Sequence, residues 1–177
     1  AVGNYDKGAL EAVYTTEELV AMGMKSAQAL EAEEEAMQRC EQAATSLSNA
    51  VEKAGETEND LSQAMEKASQ VSEEIAQNDK VSAETKEELA KASQNAEEAM
   101  ERLSRAQEEA DAAMEAYNQT ITSGTNDLSR LEAAAERAAS AAESLSEANA
   151  AASEATEELS QATEQASEEA ENSGKSG

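Results

Sequence analysis

A heptad repeat between Leu128 and Ala170 constrains the fold of this chain more than any other feature of its sequence. Apolar and small residues recur there at alternating intervals of three and four positions, for about six heptads. The first column of the repeat holds Leu128, Ala135, Ala142, Asn149, Thr156, Thr163 and Ala170, and the second holds Leu131, Ala138, Leu145, Ala152, Leu159 and Ala166. This pattern predicts a long helix that packs along its whole length against other helices.

A third column, made of alanines, lies beside the repeat at Ala134, Ala141, Ala148, Ala155 and Ala162. Three adjacent columns give an apolar face that is wider than a two-stranded coiled coil needs. We therefore expect this helix to contact two neighbouring helices. Asn149 tests the assigned phase, because a buried polar residue in the first column can fix register, whereas full exposure would show the phase to be wrong.

The composition of the whole chain also favours long helices. The 177 residues include no Pro, Trp, Phe or His, and aromatic residues make up 2% of the sequence. The lack of Pro removes a common cause of helix interruption, and the abundant Ala, Glu, Gln, Lys and Met residues are strong helix formers. The sequence therefore predicts an all-α fold, built as one elongated domain rather than two compact ones.

The formal net charge of the chain is −26. Such a charge repels phosphate backbones and anionic lipid head groups, so we expect no binding to nucleic acid or to an acidic membrane surface. High charge with low hydropathy is also typical of disorder, but a disordered chain has no reason to keep apolar residues in heptad phase. No apolar run reaches the ~18 residues of a transmembrane helix, so no direct transmembrane segment is expected in this sequence.

Residues 1–172 are predicted to form a single elongated bundle. Interruptions of the heptad pattern divide this bundle into segments. Residues 1–15 are interpreted as an irregular lead, followed by helix A at about 16–77, helix B at about 83–121 and helix C at about 126–171. Ser82 is a candidate N-cap for helix B, and Thr125 or Asn126 for helix C. Residues 173–177 have the composition of a flexible linker. Two short connections then require an antiparallel, up-down-up three-helix bundle with long coiled-coil-like helices. A small head is expected at one end, where residues 1–36 meet residues 120–127.

The candidate functional residues lie at this head end. Asn118 begins the sequon Asn118-Gln119-Thr120, which is an acceptor for N-glycosylation in a secreted protein. Tyr14, Met22 and Met24 form a candidate head surface for an unidentified ligand, although Met residues fill cores more often than they form binding surfaces. The single cysteine, Cys40, falls in a core column, which predicts an inert buried thiol rather than a reactive one.

The sequence lacks the groups on which most catalytic sites depend. Without His, the chain cannot form a Ser-His-Asp or Cys-His arrangement, or the Glu-x-x-His pairs of di-iron bundles. The acidic run Glu33-Glu34-Glu35 lacks the Gly-containing loop of a dedicated Ca²⁺ site and is interpreted as a solvated helix face. We expect no catalytic, cofactor-binding or metal-binding residues, no cofactor, and a protein that is not an enzyme.

The Ala- and Glu-dominated, Pro-free helical chain, with its linker-like C-terminal residues, resembles the glutamic acid/alanine-rich surface proteins of African trypanosomes, found on insect-stage Trypanosoma congolense. The resemblance spans the chain and rests on composition and helical plan. It implies a surface glycoprotein held at the cell membrane by a C-terminal GPI anchor, where copies pack side by side into a dense, acidic protective coat.

Two other functions fit the sequence. The protein could be a surface receptor or adhesin that binds a host or vector ligand through its membrane-distal head. It could also be a cytosolic coiled-coil scaffold that associates through its own helices. Uniform and abundant surface coverage would favour the coat, whereas saturable binding of a protein ligand would favour the receptor.

Carboxylates without basic neighbours in helix C are expected to make the stability of the fold dependent on salt. After Arg137, this helix has no basic residue before Lys175, so its lower half repels itself. We expect added NaCl, or a pH lowered from neutrality, to raise the melting temperature by relieving this repulsion. Thermal melts over a series of NaCl concentrations measure the effect, and a melting temperature that falls with added salt would contradict it.

Overall fold

Three long helices make up the described part of the protein. The computed structural model describes residues 27–123 and 127–176. In chain order the helices are α1 (Ala27–Ala76), α2 (Ala83–Thr122) and α3 (Leu128–Ser176), and they pack against one another with no strand among these residues. The predicted all-α three-helix bundle is therefore confirmed. At 1.5 Å per residue, the 50 residues of α1 span about 75 Å.

The short connection between α1 and α2 is closed by local hydrogen bonds. The Asn78 backbone N–H donates to the Ile75 carbonyl at 3.1 Å, and the Asn78 side-chain oxygen accepts from the Lys80 N–H at 3.0 Å. Ser82 is the N-cap of α2, and its hydroxyl oxygen accepts from the Thr85 N–H at 3.2 Å. The predicted reversal and the predicted Ser82 cap are both present, because these polar side chains satisfy amides that a helix end leaves free.

The start of α3 differs in detail from the sequence prediction, which placed it near residue 126 with a cap at Thr125 or Asn126. The side chain of Asp127 accepts a hydrogen bond from the Ser129 N–H at 3.0 Å, and the Asp127 carbonyl accepts from the Leu131 N–H at 3.0 Å. Asp127 therefore caps the helix, as carboxylates commonly do at this position. Residues 124–126 lie outside the described part of the chain.

Contacts between distant residues confirm the up-down-up order. Near the start of α1, the Cys40 thiol donates to the carbonyl of Leu131, near the start of α3. At the other end, the Asn78 amide donates to the Ser173 hydroxyl at 3.1 Å, close to the end of α3. Helices α1 and α3 are therefore parallel, and α2 runs antiparallel to both.

The columns of α3 occupy different depths in the bundle. The second column is fully buried from Leu131 to Ala166, whereas most of the first column is half-buried. The alanines of the third column are buried from Ala134 to Ala155. The centre of the helix face is thus the second column, with one neighbouring helix on each side of it. Asn149 is half-buried and lies beside Ala50 and Lys53 of α1, which agrees with the phase assigned from the sequence.

The three interfaces of the bundle differ in the size of their side chains. Helix α2 packs on the Ala column of α3 through alanines of its own, at Ala92, Ala99, Ala106 and Ala113. The contact between α1 and α2 is the least extensive of the three, and it holds larger side chains such as Met65, Met100 and the hydrogen-bonded pair Glu58 and Gln107. Because small residues let helix axes approach, α3 lies closer to both neighbours than they do to each other.

The C-terminal end of α3 corrects the sequence prediction of a flexible linker at 173–177, since residues 173–176 continue the helix. The Ser173 hydroxyl donates to the Ala170 carbonyl at 2.9 Å and accepts from the Asn78 amide. This contact with the α1–α2 connection supports a segment whose local composition is unfavourable for helix.

Helix A was predicted from about residue 16, and residues 1–26, with the irregular lead at 1–15, lie outside the described residues.

Gly55 offers a direct test of helix stability. It lies exposed within the uninterrupted helix α1, and a Cβ added to it would meet nothing within 4 Å. We expect Gly55→Ala to increase the free energy of unfolding by about 0.5–1 kcal/mol, because Gly loses more backbone freedom than Ala on folding. Urea denaturation followed by circular dichroism measures this change in the free energy of unfolding. Gly174→Ala, in the last turns of α3, is the matched control and should give a smaller gain, while a loss of stability from Gly55→Ala would refute the expectation.

Candidate functional site

The predicted glycosylation site lies on the surface of α2. Asn118 is exposed, four positions before the last helical residue Thr122, and the hydroxyl of Thr120 in the same sequon donates to the Ala116 carbonyl at 2.9 Å. The structure thus leaves the Asn118 side chain accessible at the head end of the bundle. The other predicted head residues, Tyr14, Met22 and Met24, lie outside the described residues.

A second, mainly apolar cluster of buried residues lies at the head end of the described core. Ala36 and Cys40 of α1 pack with Leu131 and Ala134 of α3, and Tyr117 of α2 packs against them. The Cys40 thiol is fully buried and donates a hydrogen bond to the Leu131 carbonyl at 2.9 Å. Cys40 is therefore a core residue, as the sequence predicts.

The electrostatics of this cluster disfavour reactivity. Burial raises the pKa of the Cys40 thiol, against smaller lowering effects of a backbone hydrogen bond at Ala135 and of the Arg39 charge. Burial also raises the pKa of Tyr117, helped by its proximity to Cys40 and Glu41. Because a thiolate is the nucleophilic form, a buried thiol with a raised pKa is a poor nucleophile at neutral pH.

The opposite end of the bundle is held by a carboxylate that the sequence analysis did not identify. Glu169 of α3 reaches the first turn of α2, where one of its oxygens accepts from the Ser82 backbone N–H at 2.6 Å. Its other oxygen accepts from the Thr85 hydroxyl. Asn78 and Ser173 join the same two segments, at 3.1 Å. We call the side chains of Glu169, Thr85, Asn78 and Ser173 the clasp. They tie the C-terminal turns of α3 to the α1–α2 connection and the first turn of α2.

The clasp makes Glu169 a tertiary cap for α2. The pKa of its carboxyl is lowered mainly by the hydrogen bond from the Thr85 hydroxyl and then by the one from the Ser82 amide, with a small opposing effect of burial. A carboxylate at a helix N-terminus also interacts favourably with the helix dipole. A signal for it exists in the sequence, because Glu169 takes the next place in the column of alanines from Ala134 to Ala162.

The described residues contain few other groups that could form a binding or reactive site. Within 27–123 and 127–176, no group of three or more His, Cys, Asp or Glu side chains could hold a metal ion. Across the same stretches, no helix is both long enough and apolar enough to cross a membrane. Between helices, Arg102 of α2 and Glu147 of α3 form an ion pair at 3.8 Å, and both side chains are more than half exposed. Such a pair contributes little to stability.

Comparison of the chain with protein-family models, with curated proteins and with solved structures finds no match.

The clasp makes a testable contribution to stability. We expect Glu169→Gln to lower the melting temperature at neutral pH, because the neutral amide loses the charge that strengthens two accepted hydrogen bonds. Glu168→Gln is the matched control, since it removes the same charge from an exposed neighbouring position and should leave the melting temperature unchanged or higher. Equal losses in the two variants would contradict the role of Glu169.

The pH dependence of the clasp follows from the lowered pKa of Glu169. A carboxyl whose pKa is lower in the folded state stabilises the fold fully above its unfolded pKa, and this stabilisation is lost as pH falls through the folded pKa. The gap in melting temperature between the wild type and Glu169→Gln should therefore be constant from about pH 7 to 5. The gap should shrink as pH falls below 4.5, the ordinary pKa of a glutamate carboxyl. Melts from pH 7 to 3 measure the gap, and a gap that widens on acidification would refute this assignment.

Proposed function

We propose that this protein is a structural coat protein of the cell surface, which stands as an acidic rod in a dense layer of identical copies and performs no catalysis. The observation that supports the proposal best is the self-contained core of the bundle. Fully buried leucines recur along all three helices, and the described exterior is predominantly polar and acidic. The three helices thus cover these leucines among themselves.

The charge of the exterior suits a spacer. With a net charge of −26, neighbouring rods repel one another, so copies held at a membrane stay separate while still excluding large molecules from the space between them. The length of about 75 Å would set the minimum depth of such a layer. In this proposal the C-terminus carries a GPI anchor, as the resemblance to glutamic acid/alanine-rich trypanosome surface proteins implies.

The parallel arrangement of α1 and α3 gives the rod a direction. The end of α3 lies beside the α1–α2 connection and the clasp, at the end opposite to Asn118 and the Cys40 cluster. If the C-terminus is anchored, the clasp lies next to the membrane and Asn118 lies far from it. A glycan on Asn118 would then extend the outer margin of the layer.

Surface labelling of intact cells tests this proposal. Antibody against the folded protein should stain live, non-permeabilised insect-stage cells evenly, and a phosphatidylinositol-specific phospholipase C should release the protein into the medium. An antibody against a cytosolic protein provides the control for cell integrity. Staining that requires permeabilisation would refute the coat and favour the cytosolic scaffold.

A further inference from the structure

The outer edge of the interface between α1 and α2 is a shallow groove of partly buried and exposed residues on one side of the bundle. It is located by the hydrogen bond from the Gln107 side chain to the Glu58 carboxylate, at 3.0 Å. Residues seven positions apart share one column of a helix in heptad packing. The groove therefore contains Met37, Ala44, Val51, Glu58, Met65 and Ser72 of α1, and Ser93, Met100, Gln107, Met114 and Ile121 of α2. We call these residues the α1–α2 groove.

Large apolar side chains in this groove remain accessible. Val51, Met65, Met100 and Met114 pack against the core but are only partly buried. Met37 and Ile121, at the head end of the groove, are 41% and 40% exposed and are the large hydrophobic residues most exposed to solvent among those described. By contrast, the columns of α2 and α3 that face each other are buried alanines. Exposed apolar side chains are thus concentrated on one side of the bundle.

The margin of the groove on α1 is made of small residues. Ser48, Gly55, Ser62 and Ser69 form the next column outward, and all four are exposed. Small side chains at this position let a further helix approach the groove closely enough to contact the methionines. Met is also suited to such contacts, because its flexible thioether adapts to the shape of a partner.

Charge distinguishes this side of the bundle from the other two. Carboxylates lie on the outer sides of the groove: Glu97 and Asp111 are in the column next to it on α2, and one column further out are Glu52, Glu66 and Glu73 of α1 and Glu101, Glu108 and Glu115 of α2. The basic residues Arg39, Lys53 and Lys67 of α1 instead share a column on the side that faces α3, and Arg102 of α2 pairs with Glu147 of α3. Lys86, at the clasp end of the groove, is the basic residue of these columns within the described parts of α1 and α2, and Lys91 and Arg105 lie in the next column, on the outer face of α2.

We propose that the α1–α2 groove binds a basic amphipathic helix, with an apolar stripe seated on the methionines and Lys or Arg residues against the flanking carboxylates. The apolar groove selects a helix with one apolar face, and the acidic margins select basic flanks, which is the helix-in-groove mode of recognition. A second copy of this chain is disfavoured as the occupant, because each copy carries a charge of −26. The proposal is independent of the coat function.

A model peptide tests the proposal. The probe is a synthetic helix of about 18 residues, or five turns, built from Leu and Lys with all Leu on one face. The control peptide has the same composition in scrambled order, so that it keeps the charge but has no apolar stripe. Titration calorimetry with the full chain should show saturable one-to-one binding of the probe, weakened by added NaCl, and at least about tenfold weaker binding of the scrambled peptide. Equal binding of both peptides would overturn the proposal.

Matched charge reversals locate the binding surface. Glu66→Lys with Glu101→Lys changes one carboxylate on the groove side of each helix, whereas Glu154→Lys with Glu157→Lys makes the same change in net charge on α3. All four residues are exposed, so neither pair of substitutions disturbs the core. The first variant should bind the probe about five to ten times more weakly, and the second less than about twofold more weakly. Equal effects of the two variants would show non-specific attraction and overturn the proposal.

Photo-crosslinking tests where on the bundle the probe binds. With p-benzoylphenylalanine replacing Met100 in the groove, irradiation should link the protein to the probe, and the same residue replacing Ser153, on the side of α3 that faces α1, should not. A crosslink to a second copy, or to residues 1–26 of the same chain even with the probe in excess, would overturn the proposal.

Discussion

The close contact of α3 with both neighbouring helices is the interaction on which the rest of the bundle depends. Alanine contributes little buried area, so each such position stabilises the fold less than a leucine does. Its advantage is geometric, because short side chains let helix axes approach and bring many atoms into van der Waals contact. The fully buried leucines, among them Leu61, Leu103 and Leu145, then fill the axis between the alanine columns.

This arrangement has a consequence at the interface between α1 and α2. Since α3 lies close to each of them through small residues, the space between α1 and α2 must be filled by longer side chains, and Met65, Met100 and the Glu58–Gln107 pair occupy it. The bundle is therefore not three-fold symmetric. The same asymmetry separates Arg39, Lys53, Lys67 and Arg102, which lie toward α3, from the side of the α1–α2 groove, where most charged residues are carboxylates.

The two ends of the described core hold different chemical groups. At the head end, a buried thiol satisfies the Leu131 carbonyl and lies beside Tyr117, so this end is largely apolar. At the other end, the Glu169 carboxylate and the Ser173 hydroxyl reach the α1–α2 connection. Deprotonation of Glu169 strengthens this end, although negative charge elsewhere opposes the folded state. General repulsion and the clasp therefore respond in opposite directions to acid.

The sequence by itself determined the helical class, the order of the helices, the Ser82 cap and the phase of α3, since these follow from local propensity and from heptad spacing. It also placed Cys40 in the core and left Asn118 on the surface. The clasp and the extension of α3 to Ser176 were decided only by the tertiary structure, because Glu169 and Ser173 act on residues 84 to 95 positions away in the chain. The depth of each column was decided in the same way, since the sequence gives three candidate columns whereas burial depends on which neighbours approach most closely.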